Sequence, residues 1–124
     1  MTEPSSTIRV GLIGLGGVCT AVHYPGLQRI PGVEVAAICD PFAELLESRK
    51  AEWGVHLTFL DVDVMLEKAC PDAVVIATPN NLHGQLIEKV LAAGCHVICE
   101  KPLGMDLAET ISIYEVAKQS GLRH

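Results

Sequence analysis

Five short apolar runs of strand length alternate along this chain with stretches of helical period, and this alternation is what most constrains the fold. The runs are Ile8–Ile13, Val33–Cys39, His56–Phe59, Ala73–Ile76 and His96–Cys99. Several are rich in Val and Ile without strict polar alternation, which is typical of strands buried on both faces of a parallel sheet. The pattern predicts an α/β fold with a doubly wound, mostly parallel sheet, right-handed crossovers and helices on both faces.

Signals for helix ends support this order of elements. Asp106, followed three residues later by Glu109, predicts a capping box at the start of the last helix. The helical stretches end at Gly32, Gly54, Gly94 and Gly121, where a left-handed residue commonly closes a helix. A strand follows the first three of these glycines, so the same rhythm predicts a sixth strand after the fourth. We therefore expect a flexible leader over residues 1–7, one domain over residues 8–124, and a longer protein of which this is the front part.

Composition excludes several classes of partner. The 124 residues include fifteen Asp/Glu and nine Lys/Arg, a formal net charge of −6, without a basic run. A nucleic-acid duplex or an anionic membrane surface would repel such a chain, and the glycine-broken apolar stretch from residue 10 to residue 22 is too short to span a bilayer. Five cysteines without a CxxC motif or a tight Cys/His cluster predict small buried side chains in a reduced, cytoplasmic protein, and no metal site.

The turn after the first strand carries the first functional signal. In sheets of this kind ligands bind outside the carboxyl ends of the strands, where the strand order reverses. Here the sequence reads Gly14-Leu15-Gly16-Gly17-Val18-Cys19. Gly14 permits a tight turn, Gly16 lets a pyrophosphate approach the backbone, and the following helix N-terminus offers free N–H groups. Cys19 occupies the third small position, where Gly or Ala is usual, so we expect slightly wider packing of helix on strand.

An acidic residue ends the second strand and has two competing interpretations. Asp40 lies twenty-six residues after Gly14, where a carboxylate accepts hydrogen bonds from adenosine ribose hydroxyls and repels a 2′-phosphate. Alternatively, Asp40 is the N-cap of the next helix, with Pro41 at its first position. One carboxylate does not easily do both, and we favour the ribose role, which predicts NAD rather than NADP.

Two further clusters follow the fourth and fifth strands. After the fourth comes Ala77-Thr78-Pro79-Asn80-Asn81-Leu82-His83, in which Thr78 and the Asn pair are also candidate helix caps. His83 falls in the first helical turn, where the dipole disfavours an imidazolium and leaves a neutral ring able to hydrogen-bond. The fifth strand is followed by Glu100-Lys101-Pro102. A lysine fixed in such a turn beside an acid is an unusual choice for a merely solubilising residue.

Together these four ordered motifs, with His23-Tyr24-Pro25 after the glycines, resemble the Gfo/Idh/MocA oxidoreductases over about residues 7–124. The resemblance implies a Rossmann-like domain that here stops after the fifth strand and its helix. It also implies a cofactor site in which Gly14, Gly16, Gly17 and Val18 hold the pyrophosphate, Asp40 binds the adenosine ribose, Thr78, Pro79, Asn80 and His83 line the nicotinamide half, and Glu100 and Lys101 lie beside the nicotinamide ribose.

The same resemblance implies hydride transfer between NAD and a secondary alcohol of a sugar or polyol, in a homo-oligomeric enzyme with a separate C-terminal substrate domain. Lys101 is the expected catalytic residue. An ammonium beside the reacting oxygen lowers the pKa of the alcohol electrostatically, and we expect Glu100 to keep this lysine charged and aimed. We expect the isolated 124 residues to be inactive.

Three alternatives use the same fold or the same residues. The first is a non-catalytic dinucleotide sensor or interaction module, which has no need for Glu100-Lys101-Pro102. The second is a methyltransferase, although S-adenosylmethionine has no second nucleotide half to occupy the later motifs. The third is a redox regulator built on Cys95 and Cys99, which lack a cationic neighbour to lower a thiol pKa.

Overall fold

A parallel β-sheet occupies the centre of residues 6–124, the part of the chain that the computed structural model describes; residues 1–5 of the predicted leader lie outside it. Its strands are β1 (Ile8–Ile13), β2 (Val33–Cys39), β3 (Leu57–Phe59), β4 (Ala73–Ile76) and β5 (His96–Cys99). They pair in parallel in the order β3-β2-β1-β4-β5. Four predicted strands have the observed bounds, and the third begins one residue later, at Leu57.

Helices cover both faces of the sheet, which confirms the predicted doubly wound architecture. A π-helix (Cys19–His23) continues as α1 (Tyr24–Gln28), and α2 (Ala43–Trp53), α3 (Val62–Ala69), α4 (His83–Ala92) and α5 (Leu107–Ser120) follow, with a short 3₁₀ turn (Asn80–Leu82) before α4. One core lies between the sheet and α1 and α2, around Leu12, Ile38 and Leu46. The other lies beneath α3, α4 and α5, around Met65 and Ile87. The helices divide between the two faces of the sheet because the right-handed crossover connections run first to one side of β1 and then to the other.

The predicted helix ends are confirmed at Gly54, Gly94 and Gly121 but not at Gly32, because α1 already ends at Gln28 and Gly32 lies in the turn before β2. The four glycines that were expected to close helical stretches all have positive φ, between +67° and +80°. The Asp106 carboxylate accepts a hydrogen bond from the backbone N–H of Glu109 at 2.8 Å, as a cap of α5 should. The Glu109 carboxylate, however, accepts from the N–H of Met105 rather than from that of Asp106. The first contact of the predicted capping box is therefore present, whereas the second is made to the residue before the N-cap.

The outer edge of β5 is only partly covered. Ile98 is 55% exposed there. After α5 the chain turns back along this edge, and the carbonyl oxygen of Arg123 accepts a hydrogen bond from the N–H of Val97 at 3.1 Å. Within the described residues no further strand forms at this position, where the sequence rhythm predicts a sixth.

The cysteines only partly follow the expectation of burial. Cys19, Cys39 and Cys95 are buried and Cys99 is half-buried, all as free thiols. Cys70 is exposed, because it ends α3 in the left-handed conformation at φ +46°; for this residue the prediction is wrong. Among residues 6–124 no helix is both long enough and apolar enough to cross a membrane.

Candidate functional site

The turns that follow four strands meet at one edge of the sheet. The strand order reverses between β1 and β4, which opens a crevice above their carboxyl ends. Backbone hydrogen bonds hold each turn in register with its neighbour: Gly14 N–H bonds to the Cys39 carbonyl at 3.0 Å, and Ala77 N–H bonds to that of Ile13 at 2.8 Å. The residues predicted from four separate motifs are therefore brought together at this edge.

Two glycines in the turn after β1, Gly14 and Gly16, differ in whether the fold requires a residue without a side chain. Gly14 has φ +88°, and a Cβ at this position would lie 2.6 Å from the carbonyl oxygen of Ala77, so the fold itself requires glycine. Gly16 is exposed, its φ is not in the left-handed region, and a Cβ there would meet no atom within 4 Å. The fold therefore does not require glycine at position 16. What its missing side chain provides is open access to the backbone at the start of a helix, as a phosphate group needs.

Asp40 is buried at 6% exposure, and its carboxylate holds this turn. Its Oδ2 accepts a hydrogen bond from the N–H of Leu15 at 3.0 Å, and its Oδ1 accepts one from Phe42 at 2.9 Å. The interpretation of Asp40 as a helix N-cap is wrong, because α2 begins two residues later than that interpretation requires and its N-cap is Phe42. The bond to Phe42 forms a local turn that precedes the helix.

Arg49 reaches the same turn from the other side, which the sequence did not reveal. Its Nε donates to the carbonyl oxygen of Leu15 at 3.3 Å, its Nη1 bonds to Glu52 at 2.8 Å, and its guanidinium lies 5.6 Å from the centre of the Trp53 ring. Arg49 lies well along α2 in the sequence. Its position in the sequence does not show that its long side chain extends back to the glycine turn after β1. The Leu15 peptide is thus held at both its N–H and its carbonyl oxygen.

The helix that follows the glycines begins with a wide turn. Gly17 and Val18 are exposed at its start, where the sequence places the pyrophosphate. Cys19 is 1% exposed in the π-helix that comes next, and burial raises the pKa of its thiol to about 12. This cysteine therefore packs as a small apolar side chain against the sheet. π-Helical turns inside helices often occur at functional sites.

The residues after β4 divide into an exposed group and a buried one. Pro79, Asn80 and Asn81 are exposed at the edge of the crevice, and Thr78 is half-buried. None of these side chains caps α4, whose N-cap is Leu82 without a side-chain bond; the alternative that they are helix caps is wrong.

His83 does not line the crevice, and in this the sequence prediction is wrong. Its side chain is 0% exposed. One ring nitrogen, Nδ1, lies 2.8 Å from the carbonyl oxygen of Pro102, and the other, Nε2, lies 3.0 Å from that of Thr78. The imidazole fills the space between the turns after β4 and β5 and has no surface left for a ligand. Its role is to join these two turns.

Glu100 has a different partner from the one expected. Its Oε1 lies 2.6 Å from Nε2 of His23, at the end of the π-helix, and its Oε2 accepts a hydrogen bond from the backbone N–H of Lys101 at 3.2 Å. The hydrogen bond from His23 lowers the pKa of the Glu100 carboxyl. Any stabilisation from this contact is present above the ordinary carboxyl pKa and is lost as the pH falls through the lowered value.

Lys101 is exposed, and within the described residues its Nζ has no hydrogen-bond or ion-pair partner. The prediction that Glu100 aims the ammonium group is therefore wrong. Glu100 holds the backbone of Lys101 and leaves the side chain free at the edge of the crevice.

A pocket of about 250 Å³ lies on the β2 side of the crevice. Gly14, Pro41 and Thr78 form the part nearest the strand ends, and Leu60, Leu82 and Leu86 supply apolar surface. The pocket adjoins the end of β2, next to Asp40. It has the mostly apolar lining, with a few polar groups, that suits a flat organic ring.

Comparison with known proteins identifies the family. The model of an oxidoreductase family with an NAD-binding Rossmann fold, GFO_IDH_MocA, matches residues 8–124. This chain belongs to the Gfo/Idh/MocA oxidoreductases and forms their NAD-binding domain, as its motifs predict.

Two curated relatives show how much of such a protein is present. Myo-inositol 2-dehydrogenase of Thermotoga maritima is 33% identical over 113 residues, which are 91% of this chain and 34% of that protein. D-glucoside 3-dehydrogenase of Escherichia coli is 32% identical over 117 residues, covering 94% and 33%. The chain thus spans about a third of the length of these relatives.

Solved structures with the same fold contain both types of nicotinamide cofactor. Scyllo-inositol dehydrogenase from Lactobacillus casei, with bound NAD(H) and scyllo-inositol, is similar with a TM-score of 0.85 and 34% identity, over 93% of this chain and 34% of that one. A mutant 3-ketoreductase from Actinomadura kijaniata, in complex with TDP-benzene and NADP, has a TM-score of 0.85 and 32% identity, over 94% and 36%.

We predict that alanine at the two glycines separates folding from binding. Gly14→Ala forces a Cβ against the Ala77 carbonyl at a positive φ and lowers the free energy of unfolding by more than about 2 kcal/mol. Gly16→Ala changes it by less than about 0.5 kcal/mol but weakens NAD+ binding at least about tenfold. Denaturant unfolding and calorimetric titration measure the two effects. Equal NAD+ affinity in Gly16→Ala and the unmodified chain contradicts the role of Gly16.

We also predict that Asp40→Asn destabilises the chain by about 1–3 kcal/mol, because an amide accepts at only one of its two ends and leaves a buried N–H without an acceptor. Asp61→Asn is the matched control, since Asp61 caps α3 from an exposed position, where Asn is about as good a cap and the change stays within about 0.5 kcal/mol. Denaturant unfolding of both variants checks this. Equal stability of the two variants contradicts the anchoring role of Asp40.

Proposed function

We propose that this chain binds NAD across the crevice between β1 and β4, as the cofactor domain of a dehydrogenase that oxidises a secondary alcohol of a sugar or polyol. The observation that carries the proposal is the open backbone at Gly16, where the fold has no need of glycine. It lies at the start of a helix and at the reversal of strand order, the two features that receive a dinucleotide pyrophosphate in such sheets.

The adenosine half is assigned to the β2 side. The apolar pocket around Leu60 and Leu82 has room for the adenine ring. Asp40 lies next to it, and its two backbone bonds use only two of roughly four acceptor positions of a carboxylate. The remaining positions suit ribose hydroxyls, whereas a 2′-phosphate would be repelled by the negative charge. Arg49 bonds to Leu15 and is paired with Glu52, whose carboxylate opposes its positive charge. These contacts support a preference for NAD over NADP.

The nicotinamide half is assigned to the β4 and β5 side, with the exposed Asn80 and the turn that contains Glu100 and Lys101. Bound there, NAD would supply the hydride acceptor for the alcohol carbon, and the hydroxyl proton would pass to a base in the proposed C-terminal domain. The exposed ammonium group of Lys101 then lies where it can donate a hydrogen bond to the alcohol oxygen and stabilise negative charge on it. Lys101 is thus the proposed catalytic residue of the whole enzyme.

Sugars or polyols are the proposed substrates because relatives that share this domain act on inositols and glucosides, as their names state. The residues that select among such substrates are proposed to lie in a C-terminal domain of the whole protein, which is further proposed to be a cytoplasmic homo-oligomer. The isolated domain, with its crevice open on the substrate side, is proposed to be inactive.

The alternatives receive less support from the geometry. Burial raises the pKa of the Cys95 thiol and raises that of Cys99 to about 11, which opposes thiolate-based redox chemistry. A pure sensor has no use for the exposed ammonium of Lys101. The crevice continues past β4 to β5, which gives room for a second nucleotide half that S-adenosylmethionine lacks.

The test of the proposal is a calorimetric titration of this chain with NAD+ and NADP+ at moderate salt. We expect NAD+ to bind and NADP+ to bind at least about tenfold more weakly, with Gly16→Ala as the control that weakens a specific signal at least about tenfold. A folded sample that binds neither cofactor contradicts the proposal. Equal affinity for the two leaves a dinucleotide site but contradicts the role of Asp40.

A second prediction concerns Lys101 in the full-length enzyme. Lys101→Met removes the ammonium group but keeps the length of the side chain. It is expected to lose most of the turnover while NAD+ affinity stays within about threefold, because the ammonium acts on the alcohol oxygen. Steady-state kinetics and a cofactor titration measure the two quantities. Normal turnover in this variant contradicts the catalytic role.

A further inference from the structure

His23 and Glu100 form a contact that crosses the crevice. His23 ends the π-helix behind the glycine turn of β1, and Glu100 is the first residue after β5, seventy-seven positions further along the chain. In the sheet, β4 lies between β1 and β5. The contact therefore joins the two sides of the crevice over the end of the strand that separates them.

The geometry of this contact is that of a short charged hydrogen bond. Nε2 of His23 and Oε1 of Glu100 are 2.6 Å apart, and their side chains are only 17% and 24% exposed. The lowered pKa of Glu100 agrees with a carboxylate that accepts this bond. Hydrogen bonds to an ionised acceptor are roughly twice as strong as neutral ones, and partial burial protects this one from solvent.

The other oxygen of Glu100 transmits the contact to Lys101. It accepts the backbone N–H of Lys101 at 3.2 Å, while the Lys101 side chain itself makes no bond within the described residues. The next residue, Pro102, is also held, because its carbonyl oxygen lies 2.8 Å from Nδ1 of His83. The turn that carries the ammonium group is thus fixed by two histidines, one reaching its acidic end and one its proline end.

We infer that His23 is a positioning residue for the nicotinamide half of the cofactor site. It acts through Glu100, whose carboxylate it holds so that the Glu100–Lys101 turn is ordered before the cofactor arrives. The inference rests on the proposed function. Because His23 follows the glycine turn in sequence but serves the opposite half of the crevice, its loss affects the two halves of the dinucleotide unequally.

The test compares NAD+ with ADP, which has the adenosine and both phosphates of that cofactor but neither the nicotinamide nor its ribose. His23→Phe keeps a ring of similar size and removes the bond to Glu100. We expect this variant to bind NAD+ about tenfold more weakly, as the loss of one charged hydrogen bond implies, and to bind ADP within about twofold of the unmodified chain. Calorimetric titration of the same preparations measures both affinities.

Controls separate this role from a general effect on the fold. His56 is exposed just before β3, at the opposite edge of the sheet, so His56→Phe should leave both affinities unchanged. In a Glu100→Ala background, His23→Phe should have little further effect on NAD+ binding, because the first change already removes the partner of His23. If His23→Phe does not fold, His23→Asn, which is too short to reach Glu100, replaces it in the same measurements.

Each outcome decides a separate question. Parallel losses of NAD+ and ADP affinity overturn the inference, since they show that His23 only supports the glycine turn. Unchanged NAD+ affinity in a folded His23→Phe chain also overturns it. An unmodified chain that binds neither NAD+ nor ADP instead contradicts the proposed function itself.

Discussion

The hydrogen bond between the buried Asp40 carboxylate and the N–H of Leu15 is the contact on which the rest of the site depends. It joins the end of β2 to the glycine turn of β1 and fixes the orientation of the Leu15 peptide. Arg49, on α2, donates a hydrogen bond to the carbonyl oxygen of the same residue. Both polar backbone atoms of Leu15 are engaged and its side chain is fully buried, so Leu15 fixes the point from which the exposed backbone of Gly16 continues.

The β4 and β5 side of the crevice is built on the same principle, with histidines in place of the carboxylate. The ring nitrogens of His83 lie 2.8 and 3.0 Å from backbone carbonyl oxygens of two successive turns, and His23 contacts the acid at the start of the second turn. Side-chain hydrogen bonds therefore hold the loops on both sides of the crevice. Such preorganisation reduces the ordering that a bound ligand must otherwise impose, which favours binding.

The sequence predicts the frame of this molecule well because the frame follows from local chemistry. Buried parallel strands are continuous Val- and Ile-rich runs, and glycine closes helices where φ must be positive. These rules place strand bounds to within a residue and bring Gly14, Asp40, Thr78 and Glu100 to one edge. The partners of polar side chains follow no such local rule. The His83 side chain is buried, and Glu100 bonds to His23 instead of to the Lys101 side chain. Such contacts depend on how distant segments of the chain pack together, which local sequence rules do not describe.

Gly14 and Gly16, in the turn after β1, show that residues of one family motif can be present for different reasons. Gly14 is required by its φ and by the nearness of the Ala77 carbonyl, so any protein with this turn needs it whether or not it binds a ligand. Gly16 meets no neighbour that forbids a side chain, and the open backbone that glycine leaves there is the basis of the proposal that a cofactor phosphate approaches it. A motif match alone assigns the same meaning to both residues. The packing around each residue shows that the fold requires glycine at position 14 but not at position 16.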